Sequence, residues 1–202
     1  MTPPSIRLHT SSIAQVFAAR QVCEKYLANR KHVFWAFMDL EKAYDTIDRH
    51  GMWQMLRVYG VGGKLFKAVQ SFYVESRARV RVGNDLSEWF PVNVGLRQGC
   101  MMSPWLFNVY MDGVVREVNV RVVGKGLELL SSNGGRFEIN QLLFADDTAL
   151  VADSKDKLYR LVSEFGRVCE RRKLRVNVGK SKIMRCSRYG NGDYTGACDT
   201  KR

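Results

Sequence analysis

The 202 residues are 46% hydrophobic and 26% charged, the balance of a soluble globular chain with room for one well-cored domain or slightly more. Lys plus Arg number 32 against 20 Asp plus Glu, and the formal charge of +12 points to a polyanionic partner, most often nucleic acid, although a merely soluble basic protein carries the same charge. Five cysteines without a C-x-x-C pair, three ungrouped histidines, no bilayer-length apolar run and a start, MTPPSIRLHTSS, without a signal-peptide core argue against a zinc site, a disulfide framework, a membrane partner or secretion.

Residues 1–11 read as an irregular segment. Ser12 and Gln15 have the spacing of a capping box, which predicts a helix to about Asn29. The apolar and aromatic run HVFWAFMDL reads as a buried strand ending at Asp39. Asp48 suits the cap of a helix through Tyr59, with Gly60 ending it. Leu65, Phe66, Val69, Phe72 and Tyr73 then share one helical face. RARVRV alternates strictly, predicting a strand with Arg77, Arg79 and Arg81 on one side and SEWFPVNV as its partner across Gly83-Asn84-Asp85. Ser103-Pro104 opens a helix to about Val118 that is apolar nearly all round and therefore expected to be deeply buried. Two strands follow around Ser132–Gly135, and the second leads into QLLFADDTAL. Ser154 caps a last helix, with Leu158, Leu161, Val162, Phe165 and Val168 on one face and the basic run 171–173 at its end. Residues 187–202 are polar and Gly-rich, and are expected to be a disordered tail. No repeat is present, and the irregular mixture of helices and strands predicts an α+β domain over 12–186.

QLLFADDTAL sets Asp146 and Asp147 inside an apolar run, where an unpartnered carboxylate costs several kcal/mol. Asp is a turn residue, so two strands joined by a tight turn would put both carboxylates at the hairpin tip. A turn alone explains one Asp better than two, because adjacent like charges repel. A hard divalent cation would remove that repulsion, since such ions take oxygen ligands. Asp39, at the end of another buried strand, supplies a third carboxylate; it sits too early to cap a helix, whereas Asp45 and Asp48 suit that role. Three carboxylates from two strands in a basic protein suggest two-metal phosphoryl transfer. Spacing alone does not choose between a polymerase and a nuclease.

Four stretches together resemble the reverse transcriptases of non-LTR (LINE-type) retrotransposons, in the same order, over roughly residues 12–186. FMDLEKAYDTIDR is similar to their first carboxylate motif, GLRQGCMMSPWLFNVYMD to their nucleotide-binding loop and following helix, FADD to their catalytic hairpin, and KLRVNVGKSKIM to their lysine motif. The resemblance implies an RNA-directed DNA polymerase on the antiparallel, helix-backed palm of a right-hand polymerase. Partial fingers would belong to it. An arginine-bearing finger segment upstream and a helical thumb downstream are expected to lie outside this chain. It implies two Mg²⁺ ions, with Mn²⁺ as a substitute, held by Asp39 and Asp146 with Asp147 beside them and the Leu40 carbonyl contributing. Tyr44 would stand under the sugar of an incoming dNTP and exclude a 2′-OH, where viral RNA-dependent RNA polymerases usually have a polar residue. Gln98 and Gly99 would lie along the nucleotide, Arg97 near its phosphates, and Lys180 at the leaving pyrophosphate. Partners would be an RNA template, a DNA primer and other parts of a retrotransposon polyprotein, inside the cell.

Each residue also has an ordinary explanation. Tyr44 could be a core tyrosine, Gly99 a turn glycine and Lys180 a solvated lysine. The arginines at 77, 79 and 81 could touch nucleic-acid phosphates or equally guard an edge strand. The competing functions are a catalytically inactive nucleic-acid-binding remnant and a metal-dependent nuclease. The nuclease leaves Tyr44 and Gln98 without a task.

Overall fold

Apolar strands set between amphipathic helices build the architecture, which the computed structural model describes for residues 12–130, 133–144 and 147–187. In chain order, helix α1 (Ser12–Ala28) precedes strand β1 (Val33–Met38), and three helices follow: α2 (Ala43–Thr46), α3 (Arg49–Val58) and α4 (Gly63–Ser71). Four two-residue strands come next: β2 (Arg77–Ala78), β3 (Arg81–Val82), β4 (Asp85–Leu86) and β5 (Phe90–Pro91). The long helix α5 (Ser103–Arg121) leads to β6 (Leu127–Leu130), β7 (Arg136–Ile139), β8 (Gln141–Phe144) and β9 (Asp147–Ala152). Helix α6 (Lys155–Arg171) and β10 (Lys182–Cys186) close the described chain. None of the described helices is long and apolar enough to cross a membrane.

The chain divides into two compact units, one from the residues up to Glu41 and from Val114 onward, the other Lys42–Gly113. In the first, an antiparallel sheet runs in the order β10–β1–β9–β8. Residues alternate between its faces. Val33, Trp35 and Val151 lie on the face that meets Val22 and Tyr26 of α1, in a core shared with Leu127, Leu129, Ile139 and Leu142. Ala36, Met38, Leu150 and Ala152 take the other face and are also buried, and α6 packs on β1 and β9 with Leu158, Leu161, Phe165 and Val168 inward. Each such large apolar side chain contributes about 1.5–3 kcal/mol by leaving water. Both faces are covered, which explains why β1 reads as a continuous apolar run. Ser154 caps α6 by accepting the Lys157 N–H at 3.3 Å. Arg171 and Arg172 at its end pair with Glu117 at 2.8 and 3.0 Å.

In the second unit, Asp48 caps α3 by accepting the Gly51 N–H at 3.0 Å, and Gly60, at φ 79°, follows its end. The Arg49 guanidinium organises the following loop. It donates to the carbonyls of Val92 (2.7 Å), Gly95 (2.9 Å) and Val94 (3.2 Å) and stacks on the Tyr73 ring at 5.0 Å. Gly95 has φ 77°, and a Cβ there would stand 2.6 Å from the Asp45 carbonyl oxygen, so only glycine fits.

Several expectations need correction. RARVRV is two short strands rather than one. Ser87 interrupts the ladder, its hydroxyl accepting the Val80 N–H (2.9 Å) while its own N–H reaches the Val80 carbonyl (2.9 Å), so β2 pairs with β5 and β3 with β4. No buried face enforces a register, since Val80, Val82, Leu86, Trp89 and Phe90 are exposed. The apolar face of α4 is narrower than its spacing suggests, because Phe66, Val69 and Tyr73 are buried while Leu65 and Phe72 are exposed. Helix α5 runs three residues beyond Val118, and Ser103 is its first residue rather than its cap, its hydroxyl donating to the Arg97 carbonyl at 2.6 Å. Asp45 lies inside the short helix α2 and accepts from Gln98 instead of capping. Both α2 and β10 were not foreseen. The irregular start at 1–11 and, apart from the buried Ser187, the tail lie outside the described residues.

Candidate active site

The strand pairing brings carboxylates together. β1 and β9 run antiparallel with Phe37 opposite Ala149 and Met38 opposite Thr148. Asp39 directly follows Met38 and Asp147 directly precedes Thr148, so the two carboxylates stand at adjacent strand ends. β8 and β9 pair as far as Phe144 opposite Asp147, which leaves a two-residue connection at 145–146. The expected antiparallel pairing of the two arms is therefore present. Asp147 is the first residue of β9 and is exposed. Asp146 lies outside the described residues.

Both described carboxylates line one cleft of about 460 Å³, together with Lys180, Gln15 and the apolar Phe37 and Leu142. All of these belong to the first unit. Asp39 is half-buried, Lys180 exposed. The sheet explains the cleft. On the α1 face the buried Trp35 gives way along β1 to Phe37, which is 40% exposed, and then to Asp39, so helix cover thins where the carboxylates begin.

The segment 175–181 grips Asp39 through its backbone. The Asp39 N–H donates to Ser181 Oγ (3.2 Å), and its carbonyl accepts the Asn177 N–H (2.8 Å). Ser181 Oγ donates in turn to the Asn177 carbonyl (2.8 Å), and Asn177 Oδ1 accepts the Lys180 N–H (3.2 Å). Leu40 is buried and bridges Val176, and the Glu41 N–H donates to the Arg175 carbonyl (2.8 Å). The stretch carrying the lysine is thus also the clamp on the first carboxylate. Gln15 holds the opposite wall, its amide donating to the Leu143 carbonyl (3.0 Å) just before the hairpin tip. The sequence offered a signal for Gln15 only as a capping residue, and none for the Asn177–Ser181 clamp.

The remaining residues singled out from the sequence lie in the second unit. The Tyr44 ring is half-buried and stacks on Phe107, centroids 4.3 Å apart and planes 6° from parallel, while its carbonyl accepts the Leu96 N–H (2.8 Å). Gln98 is exposed and donates to Asp45 Oδ1 (2.8 Å). Arg97 is exposed, with its guanidinium 6.0 Å from the Tyr73 ring and 3.4 Å from Ser76 Oγ. Gly99 has φ 79° and no atom within 4 Å of a would-be Cβ, so conformation rather than crowding selects glycine there. Arg79 stacks on Trp89 at 4.7 Å, which reduces its reach toward phosphates, while Arg77 and Arg81 are exposed. The donors in the cleft are carboxylate oxygens, which suit a hard divalent cation. Among the described residues no group of three or more His, Cys, Asp or Glu forms a metal-holding cluster.

Carboxylates at adjacent strand ends, on an antiparallel sheet backed by helices, define the palm of a right-hand polymerase. The family model for reverse transcriptase (RNA-dependent DNA polymerase) matches residues 2–197, and the chain belongs to that family. It is 29% identical over 135 residues to a Pol polyprotein of the type-1 retrotransposable element R2 from Nasonia vitripennis, covering 67% of this chain and 12% of that protein. It is 24% identical over 179 residues to the RNA-directed DNA polymerase from mobile element jockey of Drosophila melanogaster, covering 85% of this chain and 18% of that one. These relatives make it a reverse transcriptase domain of the non-LTR retrotransposon type. Among solved structures, a Candida tropicalis telomerase in complex with a fragment of telomeric RNA matches 93% of this chain and 31% of that one, with TM-score 0.67 and 12% identity. The apo enzyme truncated from its C-terminal domain gives 0.66 over 91%. The chain thus spans between 12% and 37% of the length of these proteins.

Proposed function

We propose that this chain carries the RNA-directed DNA polymerase centre of a retrotransposon protein, extending a DNA primer 3′-OH with dNTPs on an RNA template. The observation that carries the reading is the meeting of Asp39 and Asp147, from the neighbouring ends of β1 and β9, in one cleft with Lys180. Family membership adds to it. Residues 12–186 are taken as the polymerase domain.

Asp39 and Asp146 would hold two Mg²⁺ ions, with Asp147 beside them and the Leu40 carbonyl contributing. Bound Mg²⁺, or Mn²⁺ in its place, would supply Lewis-acid stabilisation of the attacking and leaving oxygens. The protein's own groups do the rest. Lys180, on the clamp that also fixes Asp39, would neutralise the leaving pyrophosphate or give it a proton. Tyr44, its ring braced flat against Phe107, would exclude a ribose 2′-OH. Gln98, Gly99 and Arg97 would line the sugar, base and phosphates. The exposed Arg77 and Arg81 and the formal charge of +12 would serve template and primer phosphates. The working compartment would be intracellular.

The test is primer extension by the purified 202-residue chain with an RNA template, DNA primer, dNTPs and Mg²⁺ or Mn²⁺, beside Asp39→Asn and Asp146→Asn. Extension by the wild type alone is expected. Extension by all three would overturn the reading, and so would nucleic-acid binding without extension in any of them, which is the behaviour of an inactive remnant.

A further inference from the structure

Outside the cleft, two cysteines far apart in sequence meet. Cys23 in the middle of α1 and Cys186 at the end of β10 have their Sγ atoms 3.6 Å apart. Cys186 is paired with Val33 at the start of β1, so the two thiols sit where helix, edge strand and central strand converge. The buried Trp35 donates its indole N–H to Cys23 Sγ at 3.2 Å. Both cysteines are half-buried, so the pair is ordered by its surroundings yet open to solvent.

We propose that Cys23 and Cys186 form a reversible oxidation site, closing to a disulfide that fastens α1 to β10. The sulfurs already stand 3.6 Å apart, and a disulfide needs about 2.05 Å, so closure brings them together by roughly 1.5 Å. The hydrogen bond shared with Cys186, with that of Trp35 adding to it, lowers the Cys23 thiol to about 7, against the upward push of its partial burial. A thiol poised there is largely thiolate at mildly alkaline pH, and the thiolate is the nucleophile. Cys169 makes the contrast: it is buried, and burial pushes its thiol up to about 12.

The step balances with a small-molecule disulfide such as oxidised glutathione. The Cys23 thiolate attacks one glutathione sulfur, the glutathione S–S bond breaks, and one glutathione leaves as thiolate. Cys186 then loses its proton to solvent and displaces the second glutathione from Cys23. The protein gains one disulfide, and one oxidant disulfide becomes two thiols. The bridge would tie the edge strand of the sheet to the helix that bears Gln15. In a reducing compartment such a bond forms transiently and reports oxidising conditions.

The experiment incubates the full chain with excess oxidised glutathione at pH 8, blocks remaining thiols with N-ethylmaleimide, digests without reductant and maps linked peptides by mass spectrometry. The expected product joins Gln21–Lys25 to the peptide 186–188, with two of the five thiols lost and both recovered on reduction. A Cys186→Ser chain should instead stop at a stable Cys23–glutathione mixed disulfide. Its Cys23 alkylation midpoint should move from near 7 toward the ordinary thiol range. The proposal is overturned if wild-type Cys23 stays fully blocked by maleimide, links to another cysteine, or accumulates as the mixed disulfide. Should Cys186→Ser fail to fold, the wild-type map decides alone.

Discussion

Replacing Ser181 with alanine removes one hydroxyl with two contacts, the acceptor for the Asp39 N–H at 3.2 Å and the donor to the Asn177 carbonyl at 2.8 Å. The Asn177 carbonyl keeps the N–H groups of Ser181 and Lys180 at 2.9 and 3.3 Å, so its share of the loss is small. The half-buried Asp39 amide loses its acceptor at the head of the cleft. A net hydrogen bond contributes about 1 kcal/mol, so Ser181→Ala should cost about 1–1.5 kcal/mol. For a chain of this size that lowers Tm by about 2–6 °C, readable by circular dichroism. The larger effect belongs to activity. A carboxylate displaced by about 1 Å costs on the order of a hundredfold in rate, so primer extension should fall at least about tenfold at a temperature where the variant is fully folded. Ser181→Thr keeps the hydroxyl and should restore most of both. A lowered Tm with unchanged extension would refute the positioning role, and no change in either would refute the clamp itself.

Tyr44→Val should leave dNTP incorporation within a fewfold of wild type and raise ribonucleotide incorporation, measured in parallel extension assays with each nucleotide set, because it removes the ring braced on Phe107. Arg49→Ala should destabilise the chain by about 3 kcal/mol in urea unfolding, from charge-assisted bonds of roughly 1.5–3 kcal/mol each that do not add fully; Arg49→Lys should recover only part, since an ammonium cannot span the three carbonyls. The Cys169 thiol is held above its ordinary value by burial, so its contribution to stability is complete below pH 9 and is lost as pH rises toward about 12. Cys169→Ala should flatten that alkaline loss in a pH series of thermal melts.

The covered strands and amphipathic helices were legible because their signal is burial. HVFWAFMDL and the α6 face declare themselves by apolar spacing, and Asp48 and Ser154 by cap chemistry. The β2–β5 region was not legible in detail. Its side chains face solvent, so alternation carries no energetic penalty for a break, and one serine hydroxyl was enough to split the ladder. β10 was missed because KIMRC is short and only partly buried at the sheet edge. In the site, the convergence of Asp39, Asp146 and Asp147 could be expected from strand ends alone, and Asp39 and Asp147 do line one cleft. The backbone clamp of Asn177 and Ser181 could not, because hydrogen bonds to main-chain groups leave no pattern in side-chain chemistry. The same holds for the reach of Gln15 to Leu143, which crosses 128 residues of sequence.

The clamp changes how the lysine motif is understood. A solvated lysine needs no particular backbone, yet Lys180 sits in a turn whose N–H groups converge on Asn177 and whose neighbour Ser181 holds Asp39. The base of the first carboxylate and the base of the lysine are therefore one hydrogen-bonded element, fastened between β1 and β10. Any displacement of that element moves a negative and a positive group of the cleft together. In two-metal transfer those charges act on opposite ends of the same phosphoryl group, so holding them in fixed relation is a form of electrostatic preorganisation. A binding remnant gains nothing from such coupling, because phosphate contacts tolerate loose lysines. The Asn177–Ser181 clamp is therefore the element through which the proposed polymerase centre would hold Asp39 and Lys180 in fixed relation.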